Sequence, residues 1–326
     1  SWAAFQIFQV ICLLFTATLA LRGTIQAGDI VLYQSYFTTI VNQVSAVITL
    51  LPTITKGMES VSSIGEILNA NDIEDNRGKK KLSTLRGEYE FQDVQFSYAK
   101  DQKPILKGIT MHVKPGETIA FVGESGAGKS TLLNMIIGFL MPEKGSLLID
   151  GMDSRSINLR SYRRFIAVVP QSTVLFSGSI RDNITYGLEH VTEEEIQQAV
   201  RAANLEEMLQ KLPDGLDTMV GSHGDKLSGG QRQRISIARA LIRNPQVILF
   251  DEATSALDSI SEKLIQDALQ NLTKGKTTFL VAHRLSTIRS ADKIAVLRDG
   301  MCVEFGTWDE LMQKKGIFYQ MRSLQA

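Results

Sequence analysis

Hydropathy divides this chain into two regimes. Trp2–Leu21 contains no charged residue, and neither does 30–55. Each stretch is long enough to cross about 30 Å of hydrocarbon as a helix, so the pattern predicts two membrane spans, near 2–21 and 30–55, joined by a polar turn over 22–29. The other reading, two buried helices of a soluble bundle, is disfavoured because uncharged stretches this long and adjacent are uncommon in water-soluble cores. Residues 58–68 are expected to continue the second helix out of the bilayer. Residues 69–87 read as a polar linker, a solvated tether between a membrane part at 1–68 and a second domain at 88–326. Within the second span Ser35, Thr38, Asn42, Ser45 and Thr49 recur at intervals of three and four, one continuous face of a helix. Polar residues at membrane depth face a bundle interior or a water-filled path, or they pack helices together through small hydrogen-bonding side chains. The pattern leaves both open.

From residue 89 the period changes. Tyr89–Phe96 largely alternates apolar with polar, as a half-buried strand does. Short apolar runs at 118–122, 166–169, 247–250 and 277–282 predict buried strands, and helices are expected at 130–138 and 231–242. Runs at 294–297 and 301–305 flank Asp299-Gly300, a hairpin signal, and Thr307 caps a closing helix. The stretch from about 179 to 228 reads as an all-helical insertion. Thr192 and Glu195 stand at capping-box spacing, and Ile196, Val200, Ala203, Leu205, Leu209 and Leu212 follow as an apolar stripe.

Composition adds boundaries to this picture. The 326 residues have room for two or three domains. Lys+Arg 35 against Asp+Glu 35 gives a formal charge of zero, which weighs against a nucleic-acid partner. Cys12 and Cys302 lie far apart in apolar segments and read as packed thiols of a reducing compartment. Lys56, Arg77, Lys79, Lys80 and Lys81 follow the second span, the cytoplasmic pattern. The first residue is Ser1 and no basic leader precedes the apolar stretch, so the chain reads as a fragment lacking its earlier part rather than as a signal peptide and mature domain.

Two motifs carry chemistry. Gly123, Glu124, Ser125, Gly126, Ala127, Gly128, Lys129 and Ser130, followed by Thr131, fit G-x-x-x-x-G-K-[ST] between an expected strand and an expected helix. Glycines let backbone N–H groups converge on phosphate oxygens, and the helix end adds positive potential. Lys129 reaches the outer phosphates, and Ser130 offers a hydroxyl to Mg²⁺. The second motif, Leu227-Ser228-Gly229-Gly230-Gln231, also opens a helix and presents free N–H groups to an anion. One phosphate loop already serves one nucleotide, so a second phosphate-facing helix end suggests service to another copy's nucleotide.

With these motifs, the chain resembles the ATP-binding cassette (ABC) family over about 87–326, and is similar to its exporter-type half-transporters with fused transmembrane and nucleotide-binding domains. The resemblance implies an α/β P-loop NTPase, an ABC ATPase core with a helical subdomain, preceded by an α-helical transmembrane hairpin. It makes Leu227–Gln231 the family signature and gives roles to further residues. Asp251 and Glu252 end the strand at 247–250; Asp251 would hold Mg²⁺, with Ser130 and Gln171, and Glu252 would polarise the attacking water. Residues 255–258 would be the dimer-contact loop. Gln171 and His283 fall where the family has its glutamine and histidine loops, and Tyr98 where an aromatic stacks on adenine. The outward tip of the helical subdomain would dock membrane-domain loops. One departure is Ser222, in Val220-Gly221-Ser222-His223-Gly224, where exporters usually carry an acidic residue. The expected activity is ATP hydrolysis driving export of a lipid, peptide or drug-like molecule. It would be performed by two half-transporters, a homodimer or a heterodimer, in a membrane, a bacterial inner membrane with the ATPase on the cytoplasmic side, with ATP and Mg²⁺ as cofactors. The alternatives are a soluble cassette ATPase of DNA repair or translation, and a nucleotide-gated regulator without transport. The former would show coiled-coil insertions, tandem cassettes or basic surfaces, none of which is in the sequence.

Overall fold

The computed structural model describes residues 2–70, 74–99, 103–170, 173–221, 224, 226–251, 259–282 and 285–323. The chain forms two compact units, Ser1–Asp75 and Asn76–Ala326.

The first unit is a pair of helices, α1 (Trp2–Leu21) and α2 (Ala27–Leu68). The expected turn is shorter than 22–29 because α2 starts at Ala27. Asp29, in its first turn, accepts from the Gln26 N–H at 2.8 Å and places negative charge at the positive end of the helix. At 42 residues α2 is about 63 Å long, roughly twice the hydrocarbon thickness of a bilayer. It runs through Pro52, which removes one backbone donor without ending the helix. Among the described residues Ala27–Leu68 is the one helix long and apolar enough to cross a membrane, and Phe5–Leu21 is a shorter apolar helix. The helices meet along Phe5, Gln9, Cys12 and Thr16 of α1 and Gln34, Phe37, Thr38 and Val41 of α2, all at least partly buried; the Gln34 amide donates to the Gln9 carbonyl at 3.3 Å. Most of the polar face of α2 is outside this seam. Thr38 is half-buried, while Ser35, Asn42, Ser45 and Thr49 are exposed.

The second unit alternates strands and helices: β1 (Tyr89–Phe96), β2 (Leu106–Val113), β3 (Thr118–Gly123), α3 (Lys129–Ile137), β4 (Lys144–Ile149), β5 (Met152–Asp153), α4 (Leu159–Tyr162) and β6 (Ile166–Val169). A helical stretch follows, α5 (Ile180–Ile184), α6 (Glu193–Ala202), α7 (Glu206–Gln210) and α8 (Gly229–Leu241). The chain then completes β7 (Val247–Asp251), α9 (Ser259–Thr273), β8 (Thr277–Val281), α10 (Leu285–Arg289), β9 (Lys293–Arg298), β10 (Met301–Gly306), α11 (Trp308–Lys314) and α12 (Ile317–Ser323). The strands form a six-stranded sheet in the order β10-β9-β3-β8-β7-β6 and a four-stranded sheet in the order β2-β1-β4-β5. In the first, β9, β3, β8, β7 and β6 are parallel, and β10 returns antiparallel through the expected turn, with φ 50° at Asp299 and 80° at Gly300.

Parallel strands covered on both faces need apolar residues on both, and alternate residues go to opposite cores. Ile119, Phe121, Leu249 and Phe279 join one core, with α3 and the buried residues of β1, β2 and β4. Ala120, Val122, Phe250 and Leu280 join the other, with α5, α6, α8 and α9. The central sheet therefore separates α3 from α8. The capping box of Thr192 and Glu195 and the stripe from Ile196 to Leu205 take the expected places in α6 and the turn beyond it. Strands β2 and β4 lie outside the expected elements, although Ile109, Met111 and Val113 alternate as a strand should. The alternation of β1 slips at Asp93, which has a φ of 49° at a register shift against both neighbours.

The second half of the expected tether is ordered against the second unit. Lys80 N–H donates to the Ser156 carbonyl at 3.0 Å, and Leu82 N–H to the Ser161 hydroxyl at 3.0 Å. The Asp150 carboxylate accepts from the N–H groups of Arg86, Gly87 and Glu88 at 2.7, 3.1 and 2.9 Å. Gly87's carbonyl accepts from the Thr277 hydroxyl at 2.8 Å, tying this segment to the start of β8.

Candidate functional site: a phosphate loop and a second helix end

Strand β3 ends at Gly123 and α3 begins at Lys129, so 124–128 form the expected loop, with Glu124, Ser125 and Gly126 exposed at its tip. Gly128 is the N-cap of α3 at φ 102°, and a Cβ built there would lie 2.7 Å from Leu106 Cδ2. The first bond of the helix runs from Leu132 N–H to the Gly128 carbonyl at 3.0 Å. The N–H groups of Lys129, Ser130 and Thr131 precede it and remain available to an anion.

Lys129 is 7% exposed. Its ammonium donates to the carbonyls of Gly123 at 2.8 Å and Glu124 at 2.7 Å, bracing the loop from inside. Burial pushes its pKa down, and the Asp251 carboxylate opposes that shift. Ser130, next along, is exposed, whereas Thr131 is buried and shares a hydrogen bond of 3.2 Å with the Tyr98 hydroxyl. Tyr98 is 57% exposed and packs its ring edge-on against Phe96, so an accessible aromatic stands beside the start of α3. Asp251 ends β7, half-buried and in register with Val281 of β8; Val281 is in register with Phe121 of β3. The carboxyl ends of β3, β8, β7 and β6 thus line one edge of the sheet, where ligands gather in open α/β folds.

The second motif, Leu227–Gln231, is a capped helix start. Ser228 Oγ accepts from Gln231 N–H at 3.3 Å, and Ser228 N–H donates to Gln231 Oε1 at 2.8 Å. This reciprocal box starts α8 at Gly229, two residues before the expected Gln231, so both glycines are helical. Ser228 and Gly229 are exposed, Gly230 is buried and Gln231 half-buried. Arg232 donates to the carbonyls of Gly224 at 3.3 Å and Leu227 at 2.7 Å and secures the approach to the helix. Among the described residues no hydrogen bond joins 228–231 to 123–131.

The structure thus brings together Lys129, Asp251, Thr131 and Tyr98 around one loop and leaves Ser228–Gln231 on a helix packed into the other core. Gln171, Glu252 and His283 lie outside the described residues, as do 255–258, Ser222 and His223. Sequence reasoning did not find Asn183 and Arg239, whose side chains join α5 and α8 by hydrogen bonds. A polar residue on the inner face of a short capped helix was the available signal for Asn183.

Comparison with known proteins gives concordant relatives. A family profile described as ABC transporter matches residues 106–255. The chain is 41% identical over 313 residues to an ATP-dependent lipid A-core flippase of Chromobacterium violaceum, covering 96% of this chain and 53% of the relative. It is 44% identical over 306 residues to the putative multidrug export ATP-binding/permease protein YgaD of Bacillus subtilis, covering 94% and 53%. Among solved structures, a bacterial Atm1-family ABC exporter with ATP bound superposes with a TM-score of 0.76 at 35% identity, over 93% of this chain and 53% of that one. The chain spans about half the length of these three relatives.

Proposed function

Because the chain belongs to the ABC transporter family, carrying that domain at residues 106–255, we propose that it hydrolyses ATP to drive export across a membrane as one half of a dimer. The observation that carries this reading is the separation of α3 and α8 into cores on opposite faces of the central sheet. Two anion-facing helix ends placed in this way suit two different nucleotides. In a two-fold dimer, Lys129's loop on one copy and Ser228's helix on the other would enclose one ATP.

The roles follow from position. The N–H groups at 129–131 and the Lys129 ammonium bind phosphate, and the exposed ring of Tyr98 stacks on adenine. Ser130 and Asp251 offer a hydroxyl and a carboxylate, hard oxygen donors that fit Mg²⁺ bound with substrate phosphates, with Gln171 as a third candidate. Mg²⁺ supplies charge neutralisation on the phosphates. Glu252, directly after Asp251, polarises the attacking water, and His283 contacts the terminal phosphate. Phosphoryl transfer depends mainly on positioning and electrostatic stabilisation, which the loop, Lys129 and the partner's signature N–H groups provide.

The membrane part is proposed as two spans, α1 and α2, in a bacterial inner membrane with the ATPase on the cytoplasmic side; the lipid A-core flippase and the YgaD protein, each about half covered by this chain, both come from bacteria. The exposed face of Ser35, Asn42, Ser45 and Thr49 would line the path of a lipid, peptide or drug-like cargo. Its exposure beside the α1 seam supports that role. Labelling of an Asn42→Cys variant by a water-soluble thiol reagent tests it, and absence of labelling in every nucleotide state rejects it. The decisive test of the ATPase is Glu252→Gln: ATP binding and a stable ATP-bound dimer should persist while phosphate release stops. Parent-like phosphate release would refute the assignment.

A further inference from the structure

A surface on the helical side of the second unit is held in an unusual way. Phe176 and Tyr186 stack with centroids 4.1 Å apart and planes 14° apart, yet the two residues remain 43% and 49% exposed. Stacked rings left in solvent forgo much of the stabilisation that burying them would give, so folding alone does not account for their order. Asn183, 1% exposed, organises the segment. Its Oδ1 accepts from Phe176 N–H at 2.9 Å, and its Nδ2 donates to the carbonyls of Phe176 and Ser179, each at 2.9 Å.

Arg239 fastens this segment to α8. Its Nε donates to the Asn183 carbonyl and its Nη2 to Asn183 Oδ1, both at 2.7 Å, while its guanidinium carbon lies 5.3 Å from the Phe176 ring centroid. Just past the end of α8, Arg243 Nη2 donates to the Tyr186 carbonyl at 2.5 Å. Arg239 and Ser228 are on the same helix, about 16 Å apart along its axis, and a helix packed along its length moves as a rod. Arginine suits the position because its planar fork makes paired bonds while its face covers an aromatic ring.

We propose that Arg239 is a positioning residue through which nucleotide engagement at Ser228–Gly230 tightens the exposed Phe176–Tyr186 surface. This rests on the proposed nucleotide site. Hydrogen exchange of the full chain, assembled in lipid nanodiscs and measured with and without ATP, tests it. In the parent, ATP should slow exchange both at 123–131 and at 174–186. In Arg239→Met, the response at 123–131 should persist while that at 174–186 falls to less than a third of the parent's. A merely structural arginine would change basal exchange and leave the ATP response of 174–186 intact, and that result overturns the proposal. If the parent responds at 123–131 alone, the proposal falls and the nucleotide site stands; if neither segment responds, both fall. Should Arg239→Met fail to fold, Arg239→Lys decides. Its ammonium keeps the charge without the paired bonds, so more than half of the response at 174–186 should disappear, and an undiminished response is again a refutation.

Discussion

Replacing Gly128 by alanine tests the geometry of the phosphate loop. At φ 102° the N-cap of α3 lies in a region that L-residues enter at a cost of about 1–2 kcal/mol. The new methyl would lie 2.7 Å from Leu106 Cδ2, well inside van der Waals contact, and Leu106 is fully buried. Overpacking of this kind costs about 1–3 kcal/mol, so Gly128→Ala should destabilise the second unit by about 2–5 kcal/mol. Gly126 provides the control. It too has positive φ, 83°, but nothing lies within 4 Å of its would-be Cβ, so Gly126→Ala carries the backbone cost of about 1–2 kcal/mol alone. Urea unfolding of both variants, each also made in a Leu106→Val background, isolates the contact. Leu106→Val by itself should cost about 1 kcal/mol, yet it should recover most of the difference between the two glycine variants by opening space for the methyl. ATP affinity should fall about 10- to 100-fold in Gly128→Ala, the loss of one charge-assisted backbone bond of about 1.5–3 kcal/mol. Equal destabilisation by the two glycine variants, or a difference unchanged by Leu106→Val, would refute the reasoning.

Other perturbations report on separate parts of the molecule. Lys129→Ala removes the ammonium that braces Gly123 and Glu124; equilibrium dialysis should show ATP binding weakened by about 10- to 100-fold, from the loss of charge-assisted bonds. At Glu117 burial alone raises the carboxyl pKa, but the bond from Lys293 at 2.9 Å, with the Lys114 N–H, brings it below the ordinary value. A depressed folded pKa gives stability that is present above the unfolded value and lost as pH falls through the folded one. Glu117→Gln should therefore cost about 1 kcal/mol at pH 7, and urea titrations should show the difference from the parent shrinking once the pH drops below 4.5. Buried Glu304 accepts from the N–H groups of Ile317 and Phe318 at 3.0 and 2.9 Å. Glu304→Ala should cost about 2 kcal/mol, with faster hydrogen exchange concentrated in α12.

Much of this architecture was legible in the sequence because its signals are local. A strand buried on both faces is a short apolar run, and β3, β6, β7 and β8 match the expected runs to within one residue at each end. The phosphate loop and the box of Thr192 and Glu195 are equally local, since every partner lies within a few residues. The start of α8 was misplaced because glycine is a poor helix former; the bonds between Ser228 and Gln231 outweigh that cost. What escaped depends on distance along the chain. Asp150 meets the N–H groups of 86–88 from more than sixty residues away, and Arg239 meets Asn183 across 56. Nothing near either residue announces its partner. The grouping of Lys129 with Asp251 and of Tyr98 with Thr131 likewise comes from the order of strands in the sheets, which spacing in the chain does not encode.

The staple at Asp150 bears on how such a domain can be moved between proteins. A chain cut at β1 would keep every strand and both phosphate-facing helix ends. It would nevertheless strip Asp150 of the Arg86, Gly87 and Glu88 donors and Thr277 of the Gly87 carbonyl, loosening the start of β8, the strand that leads to His283. The smallest portable cassette is therefore longer than its catalytic motifs indicate. Its natural seam lies at Asn76, a dozen residues upstream of the first strand, and recombination that respects this seam would exchange the first unit while leaving the second intact.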